Sequence, residues 1–125
     1  DVLIHKADVI LIDYSMNDRN LDIATVYNAW DEMIKKAQSR GIKVLLITSS
    51  PYRDIDLLST ETNLYKHQQQ VIKLAQENNV GLVDGFQVFK QKVIDGNNVN
   101  SYLSSFNHPN AIGHNLIAEE IMKFF

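Results

Sequence analysis

The chain has 125 residues, of which 45% are hydrophobic and 22% charged, a composition typical of one globular domain spanning residues 1–125. A net charge of −3 without a basic segment makes nucleic acid an unexpected partner, and the longest apolar run, residues 44–47, is too short to span a membrane. The absence of cysteine excludes disulfides and thiolate metal sites. It assigns no compartment, with a secreted or cell-envelope location slightly favoured over the cytoplasm.

Strand and helix signals alternate from the start of the chain. Residues 9–12 predict a first strand that is buried on both faces, because a continuous apolar run lacks the alternation of a half-exposed strand. A helix capped by Thr25 follows, and Gly41 stands where a helix C-terminus favours glycine. Residues 44–47 predict a second buried strand.

The second half of the chain repeats this plan. Apolar residues at helical spacing between Leu64 and Ala75 predict a helix that ends near residues 78–79. A strand over residues 80–83 and a short helix over residues 86–94 are predicted to follow. A final helix is capped by Asn110, and four apolar residues are expected to face inward: Ile112, Leu116, Ile117 and Ile121.

This alternation indicates an α/β fold with a parallel sheet between helices, a doubly wound architecture. Three strands are few for such a sheet, and the first strand has no visible partner on one side. A bare apolar edge invites aggregation. We therefore expect that upstream strand units are missing, or that another chain covers this edge.

Ligands of open parallel sheets bind beyond the carboxyl ends of the strands. Asn17 follows the first strand, and the turn that holds His108 can fold back to the same edge. The Asn17 amide can donate a hydrogen bond to an oxyanion, and His108 can act as a general base. Ser105, three residues before His108, stands where an acceptor for the other ring nitrogen is expected, although a hydroxyl accepts more weakly than a carboxylate.

These two segments resemble blocks of the SGNH (GDSL-type) hydrolases. Residues 8–18 resemble the third block, a buried strand ending in Gly-x-Asn-Asp, and His108-Pro109-Asn110 with Gly113-His114 resembles the fifth block, Asp-x-x-His-Pro followed by Gly-His. The resemblance covers the whole chain, from the third strand of that fold onward. It implies a flavodoxin-like three-layer α/β/α fold, with Asn17 in the oxyanion hole and His108 as base. The implied activity is hydrolysis of a small-molecule or carbohydrate ester, often an acetyl or short acyl ester, without metal or cofactor.

The chain departs from this family at several positions. The Gly-Asp-Ser block with the nucleophile and the glycine of the second block match nothing here. Ser15 replaces the glycine of Gly-x-Asn-Asp, and Ser105 replaces the aspartate of the triad. We therefore expect the C-terminal portion of a longer hydrolase, with a serine outside this chain, and no activity from this chain alone.

Other interpretations stay open. Ser15, Ser49 and Ser50 lie at strand ends and are candidate nucleophiles, although none lies in Gly-x-Ser-x-Gly. A receiver-type domain with Asp13 as phosphoacceptor and Thr48 as its hydroxyl is a less favoured alternative. A third is a non-catalytic relative that binds a glycan or a partner.

The remaining histidines indicate no metal site. His108 and His114 are six residues apart, which is not the spacing of a helical metal-binding pair. His5 and His67 have no partner pattern and are predicted to lie at the surface.

Overall fold

The structure, a computed structural model, describes residues 2–125. Strands and helices alternate as predicted. In chain order the elements are a 3-10 helix Val2–His5, β1 Val9–Ile12, α1 Ser15–Asp18, α2 Ile23–Gln38, β2 Lys43–Ile47, α3 Asn63–Asn78, β3 Gly81–Val83, α4 Gly85–Ile94, a 3-10 helix Val99–Tyr102 and α5 Ala111–Met122. Within residues 2–125 no helix combines the length and the apolar character that a membrane span requires.

The three strands form one parallel sheet in the order β1-β2-β3. Ile12 is opposite Leu46, and Ile47 is opposite Val83. Because the strands are parallel, the segments that follow them leave from the same edge of the sheet, where ligands of such folds bind.

Helices cover both faces of this sheet. On one face, Trp30 of α2 and Leu74 of α3 are buried against Leu46 of β2. On the other face, Leu45, Ile47 and Val83 pack against the half-buried side chains of Ile117 and Ile121 on α5. The predicted three-layer α/β/α architecture with a parallel sheet is therefore confirmed.

A separate apolar cluster lies below the loops at the carboxyl edge. Its buried members are Ile55, Leu57, Leu64, Phe86, Phe89, Val99 and Tyr102, and Met16 and Tyr52 pack against it. This cluster gives the long segment between β2 and α3 a fixed position.

The prediction that β1 is buried on both faces is wrong. Leu11 is 44% exposed, whereas Leu45, its neighbour in register on β2, is 3% exposed. The cluster that β2 forms with α5 includes Leu45 but not Leu11. Within the described residues, β1 pairs only with β2, so its outer edge is open.

Two predicted boundaries also need correction. The cap of α2 is Asp22 rather than Thr25, because Asp22 Oδ2 accepts hydrogen bonds from both the backbone N and the Oγ1 of Thr25, each 2.8 Å long. The strand β3 begins at Gly81, because Val80 N donates to Ala75 O in the turn that ends α3.

Two side-chain positions differ from the prediction as well. Ile112 is 59% exposed rather than inward-facing. His67 is 3% exposed rather than a surface residue. It shares the stripe of Leu64 and Val71, which lie three residues before it and four after it on the buried face of α3.

Candidate active site

Asn17 lies on α1, a single helical turn that begins immediately after β1. Tyr14 O accepts hydrogen bonds from Asn17 N at 2.9 Å and Asp18 N at 3.0 Å, which closes this turn. The Asp18 carboxylate accepts from Trp30 Nε1 at 2.9 Å and so attaches α1 to α2. Asn17 itself is exposed, and its amide has no hydrogen-bond partner within residues 2–125. The amide is therefore free to meet a ligand at the sheet edge.

His108 lies in a tight turn before α5. Leu103 and Pro109 pair as an antiparallel bridge, and Ser104 N donates to His108 O at 2.9 Å. The Ser104 hydroxyl also donates to this carbonyl at 3.2 Å. These bonds hold the backbone of His108 in place, and the residue as a whole is exposed to solvent.

The start of α5 holds this turn in place. Asn110 caps the helix, as predicted, by accepting from Gly113 N at 3.0 Å, and its backbone N donates to Tyr102 O at 2.9 Å. A Cβ at Gly113 would lie 2.4 Å from Tyr102 O, so the close approach of these two segments requires glycine.

A row of three side chains joins the Asn17 segment to the His108 segment. The guanidinium carbon of Arg19 lies 5.8 Å from the ring centroid of Tyr52. The Tyr52 ring stacks on Phe106 with centroids 5.7 Å apart and planes at 23°. Arg19 follows Asn17 by two residues and Phe106 precedes His108 by two. The two predicted site segments therefore meet through Tyr52 at the carboxyl edge of the sheet.

Ser105 is exposed and lies in the same turn as His108. In the part of the chain that the structure describes, no hydrogen bond joins its hydroxyl to the imidazole. The contacts that hold His108 are those of its backbone. The predicted role of Ser105 as acceptor for the ring nitrogen of His108 stays a prediction.

The candidate nucleophiles Ser15 and Ser49 are buried, with exposures of 1% and 2%. The Ser49 hydroxyl donates to Ser50 O at 2.8 Å. Ser15 Oγ is buried and has no hydrogen-bond partner among residues 2–125. Neither hydroxyl is accessible to a substrate in this structure, and Ser50 is half-buried.

A buried polar network below the site was not predicted. Thr48 Oγ1 donates to Asp84 Oδ1 at 2.7 Å and accepts from Phe86 N at 2.9 Å. Gln68 Nε2 donates to both Asp84 oxygens, each at 2.9 Å. Thr48 directly follows β2 and Asp84 directly follows β3. This position at two neighbouring strand ends is the sequence feature from which their contact could have been predicted. The network ties the two strand ends to α3 and α4.

Two titratable groups near the sheet edge have shifted pKa values. Burial raises the pKa of Asp13 to about 6, although the residue retains an exposed surface. Burial lowers the pKa of His67, and the charge of Asp18 opposes this shift. No group of three or more His, Asp and Glu side chains in residues 2–125 is arranged to hold a metal ion.

Sequence comparisons find no matching family profile and no matching curated protein. Solved structures do match. The acetyl xylan esterase AlAXEase superimposes with a TM-score of 0.81 at 23% identity, over 99% of this chain and 70% of that chain. The acetylxylan esterase Axe2 from Geobacillus stearothermophilus has a TM-score of 0.81 at 16% identity, over 98% of this chain and 61% of that chain. The chain has an SGNH/GDSL hydrolase-type fold.

A third structure with this fold is a GDSL-like lipase from Parabacteroides merdae, with a TM-score of 0.78 at 17% identity. The match covers 98% of this chain and 62% of the lipase. The chain thus spans less than two thirds of the lipase and of Axe2. The SGNH-type fold predicted from the Asn17 and His108 segments is confirmed over nearly the whole chain.

Proposed function

We propose that this chain supplies the general base and an oxyanion-hole amide of an ester hydrolase that removes acetyl or other short acyl groups from carbohydrate. The observation that carries the proposal is the row Arg19-Tyr52-Phe106, which brings the Asn17 and His108 segments to one edge of the sheet. The fold shared with two acetyl xylan esterases supports this class of substrate.

The chemistry follows from the two side chains. His108 accepts the proton of a serine hydroxyl while the serine oxygen attacks the ester carbonyl carbon. The carbonyl oxygen becomes an oxyanion, to which the Asn17 amide donates a hydrogen bond. Collapse of this intermediate expels the alcohol, which takes the proton from His108. A water molecule then attacks the acyl–serine ester while His108 accepts its proton. The serine takes this proton back from His108 as the acid is released.

The serine of this reaction is proposed to lie outside this chain. Ser15 and Ser49 are buried, which argues against either of them as nucleophile. The open edge of β1, the exposed side chain of Leu11 and the unpaired Ser15 hydroxyl favour a further segment, or another chain, packed at this edge. We propose that this segment brings the nucleophile.

Ser105 is the weak element of the proposed site. Structures of catalytic mutants of Axe2 carry alanine in place of a serine, an aspartate and a histidine, and the last two are three positions apart in its sequence. Here the residue three positions before His108 is Ser105. Because a hydroxyl orients an imidazole less strongly than a carboxylate does, we expect a slow enzyme.

Serine instead of aspartate at position 105 also favours a second candidate function, that of a non-catalytic SGNH-type module that binds a glycan or a protein partner.

The receiver-type alternative has less support. Thr48 is fully buried and its hydroxyl is engaged by Asp84 and Phe86, so it is not available beside a phosphorylated Asp13.

The test compares the 125-residue chain with a longer form that includes the residues encoded upstream in its gene. Both are assayed on p-nitrophenyl acetate and acetylated xylo-oligosaccharides. We expect turnover from the longer form only, and loss of that turnover in His108→Ala but not in a His5→Ala control. Robust turnover by the short chain would contradict the external serine. Glycan binding by the longer form without turnover would favour the binding module.

A further inference from the structure

A small cleft lies beside the candidate active site, between the α1–α2 connection and the start of α3. Its volume is about 140 Å³, and its polar lining consists of Arg19, Asn20, Asn63, Lys66 and His67. Arg19 lines the cleft, while its guanidinium lies over the Tyr52 ring and donates a hydrogen bond to Met16 O. The proposed mechanism of ester hydrolysis uses none of the residues on the α3 side of this cleft.

His67 is the feature that indicates a ligand. It is 3% exposed and lines the cleft. Throughout residues 2–125 its ring makes no hydrogen bond, although a neutral imidazole always carries one N–H donor and one acceptor nitrogen. Neither ring nitrogen is among the fully buried polar atoms that lack a partner in the described residues, so both keep contact with solvent. A ligand in the cleft can therefore take the place of water as the hydrogen-bond partner of His67.

The charges around the cleft favour an anion. Lys66 and Arg19 are cationic, the cleft borders the first turns of the 16-residue helix α3, and no carboxylate lines it. Asp18 lies near enough to His67 to influence its charge, but its carboxylate already accepts from Trp30. Glu61 approaches Lys66 from outside, with Oε2 3.9 Å from Nζ and both side chains largely in solvent. This weak pair does not fill the cleft.

We propose that this cleft binds a carboxylate group, of the kind that an acidic sugar carries. Lys66 supplies positive charge at the cleft and Arg19 adds a second charge from its border, His67 donates a hydrogen bond, and the amides of Asn20 and Asn63 are available to neighbouring hydroxyls. A volume of about 140 Å³ corresponds to about five water molecules. It accommodates a carboxylate with the adjoining carbons, while the rest of a sugar ring stays at the mouth. The proposal does not depend on ester hydrolysis.

The test is a titration of the full chain, followed by NMR, with glucuronate, acetate and glucose at millimolar concentrations. We expect saturable shifts of the His67 ring and the Asn63 amide with glucuronate and none with glucose. Saturation by acetate as well would identify the carboxylate alone as sufficient, and saturation by glucuronate only would require the sugar; both support the proposal. Equal binding of glucose, or no saturable shift with either carboxylate, would overturn it.

Two variants and a control test the assignment of the cleft. Lys66→Gln and His67→Leu should each weaken glucuronate binding about tenfold, because each removes a hydrogen bond to a charged group. Lys73→Gln removes the same charge from the same helix but lies outside the cleft, and it should leave binding unchanged. Equal weakening by Lys66→Gln and Lys73→Gln would indicate non-specific attraction and overturn the proposal. Lys66 is exposed, so its variant remains informative even if His67→Leu unfolds.

Discussion

Tyr52 stacks on Phe106 with ring centroids 5.7 Å apart and an interplanar angle of 23°. The backbones of the same two loops are also in contact, because Arg53 N donates a hydrogen bond to Phe106 O at 2.7 Å. Two contacts of different chemistry therefore hold the loop after β2 against the loop that carries His108. Since Arg19 covers the same Tyr52 ring, one aromatic residue links both halves of the candidate site.

Removal of the Tyr52 ring should loosen the contact between these two halves, since the ring contacts are lost while the Arg53–Phe106 backbone bond remains. If the longer form carries the proposed serine, we expect Tyr52→Ala to lower its kcat about tenfold, and to lower the free energy of unfolding by about 1–2 kcal/mol through lost stacking and packing. Tyr52→Phe keeps the ring and should retain both values. Esterase kinetics and urea unfolding of the two variants test this. Equal activity in Tyr52→Ala and wild type would remove the positioning role.

The Asn17 amide should act mainly on the transition state. Asn17→Ala is expected to lower kcat of the longer form about 100-fold or more with little change in KM, as loss of an oxyanion donor does elsewhere. Asn28→Ala, which removes an exposed amide on α2, is the matched control and should retain kcat. A rise in KM at unchanged kcat would instead assign Asn17 to substrate binding.

The features predicted correctly are those encoded within a few neighbouring residues. The Asn110 cap and the turn at His108 depend on local hydrogen bonds, and their residue types are visible in the sequence. The alternation of β1, β2 and β3 with helices follows from apolar runs and spacing in the same way. Local patterns of this kind were sufficient to predict the fold.

Features that depend on packing between distant segments were not predicted. The burial of His67 was missed because its chemistry suggested the surface, although its spacing from Leu64 and Val71 indicated the core. The Thr48–Asp84 hydrogen bond joins residues 36 positions apart, so no local pattern marks it. The exposure of Leu11 depends on which elements pack against β1, and the run of apolar residues within the strand does not show this.

A carboxylate at position 105 should improve the proposed site. Ser105→Asp restores a strong acceptor three residues before His108, and we expect it to raise kcat of the longer form about tenfold. Ser105→Asn has nearly the same shape without the charge and should give little gain. Kinetics on p-nitrophenyl acetate distinguish the two variants. Equal rates in all three proteins would mean that position 105 does not orient the imidazole.

The Thr48 hydroxyl should contribute mainly to stability. Thr48→Val keeps the shape of the side chain, removes a hydrogen bond to the Asp84 carboxylate and leaves Phe86 N without its acceptor. We expect a loss of about 2–3 kcal/mol in the free energy of unfolding. Thr60→Val, at an exposed position with a 3.4 Å hydrogen bond to Glu61, should change it by less than about 0.5 kcal/mol. Urea unfolding of both variants is the measurement, and similar losses would refute the role of the network.

Asp13 should make stability depend on pH in the direction opposite to most carboxylates. Burial raises its pKa from 3.8 to about 6 in the folded chain, so its contribution is fully present below pH 3.8 and is lost as pH rises to about 6. Since water still reaches the residue, the expected loss is about 1 kcal/mol rather than the full linkage value of about 3 kcal/mol. Asp13→Asn should therefore stabilise the chain at pH 7 by about 1 kcal/mol. Asp8→Asn, an exposed carboxylate before the same strand, is the control. Thermal unfolding across this pH range tests the prediction, and it fails if Asp13→Asn gains nothing over Asp8→Asn at pH 7.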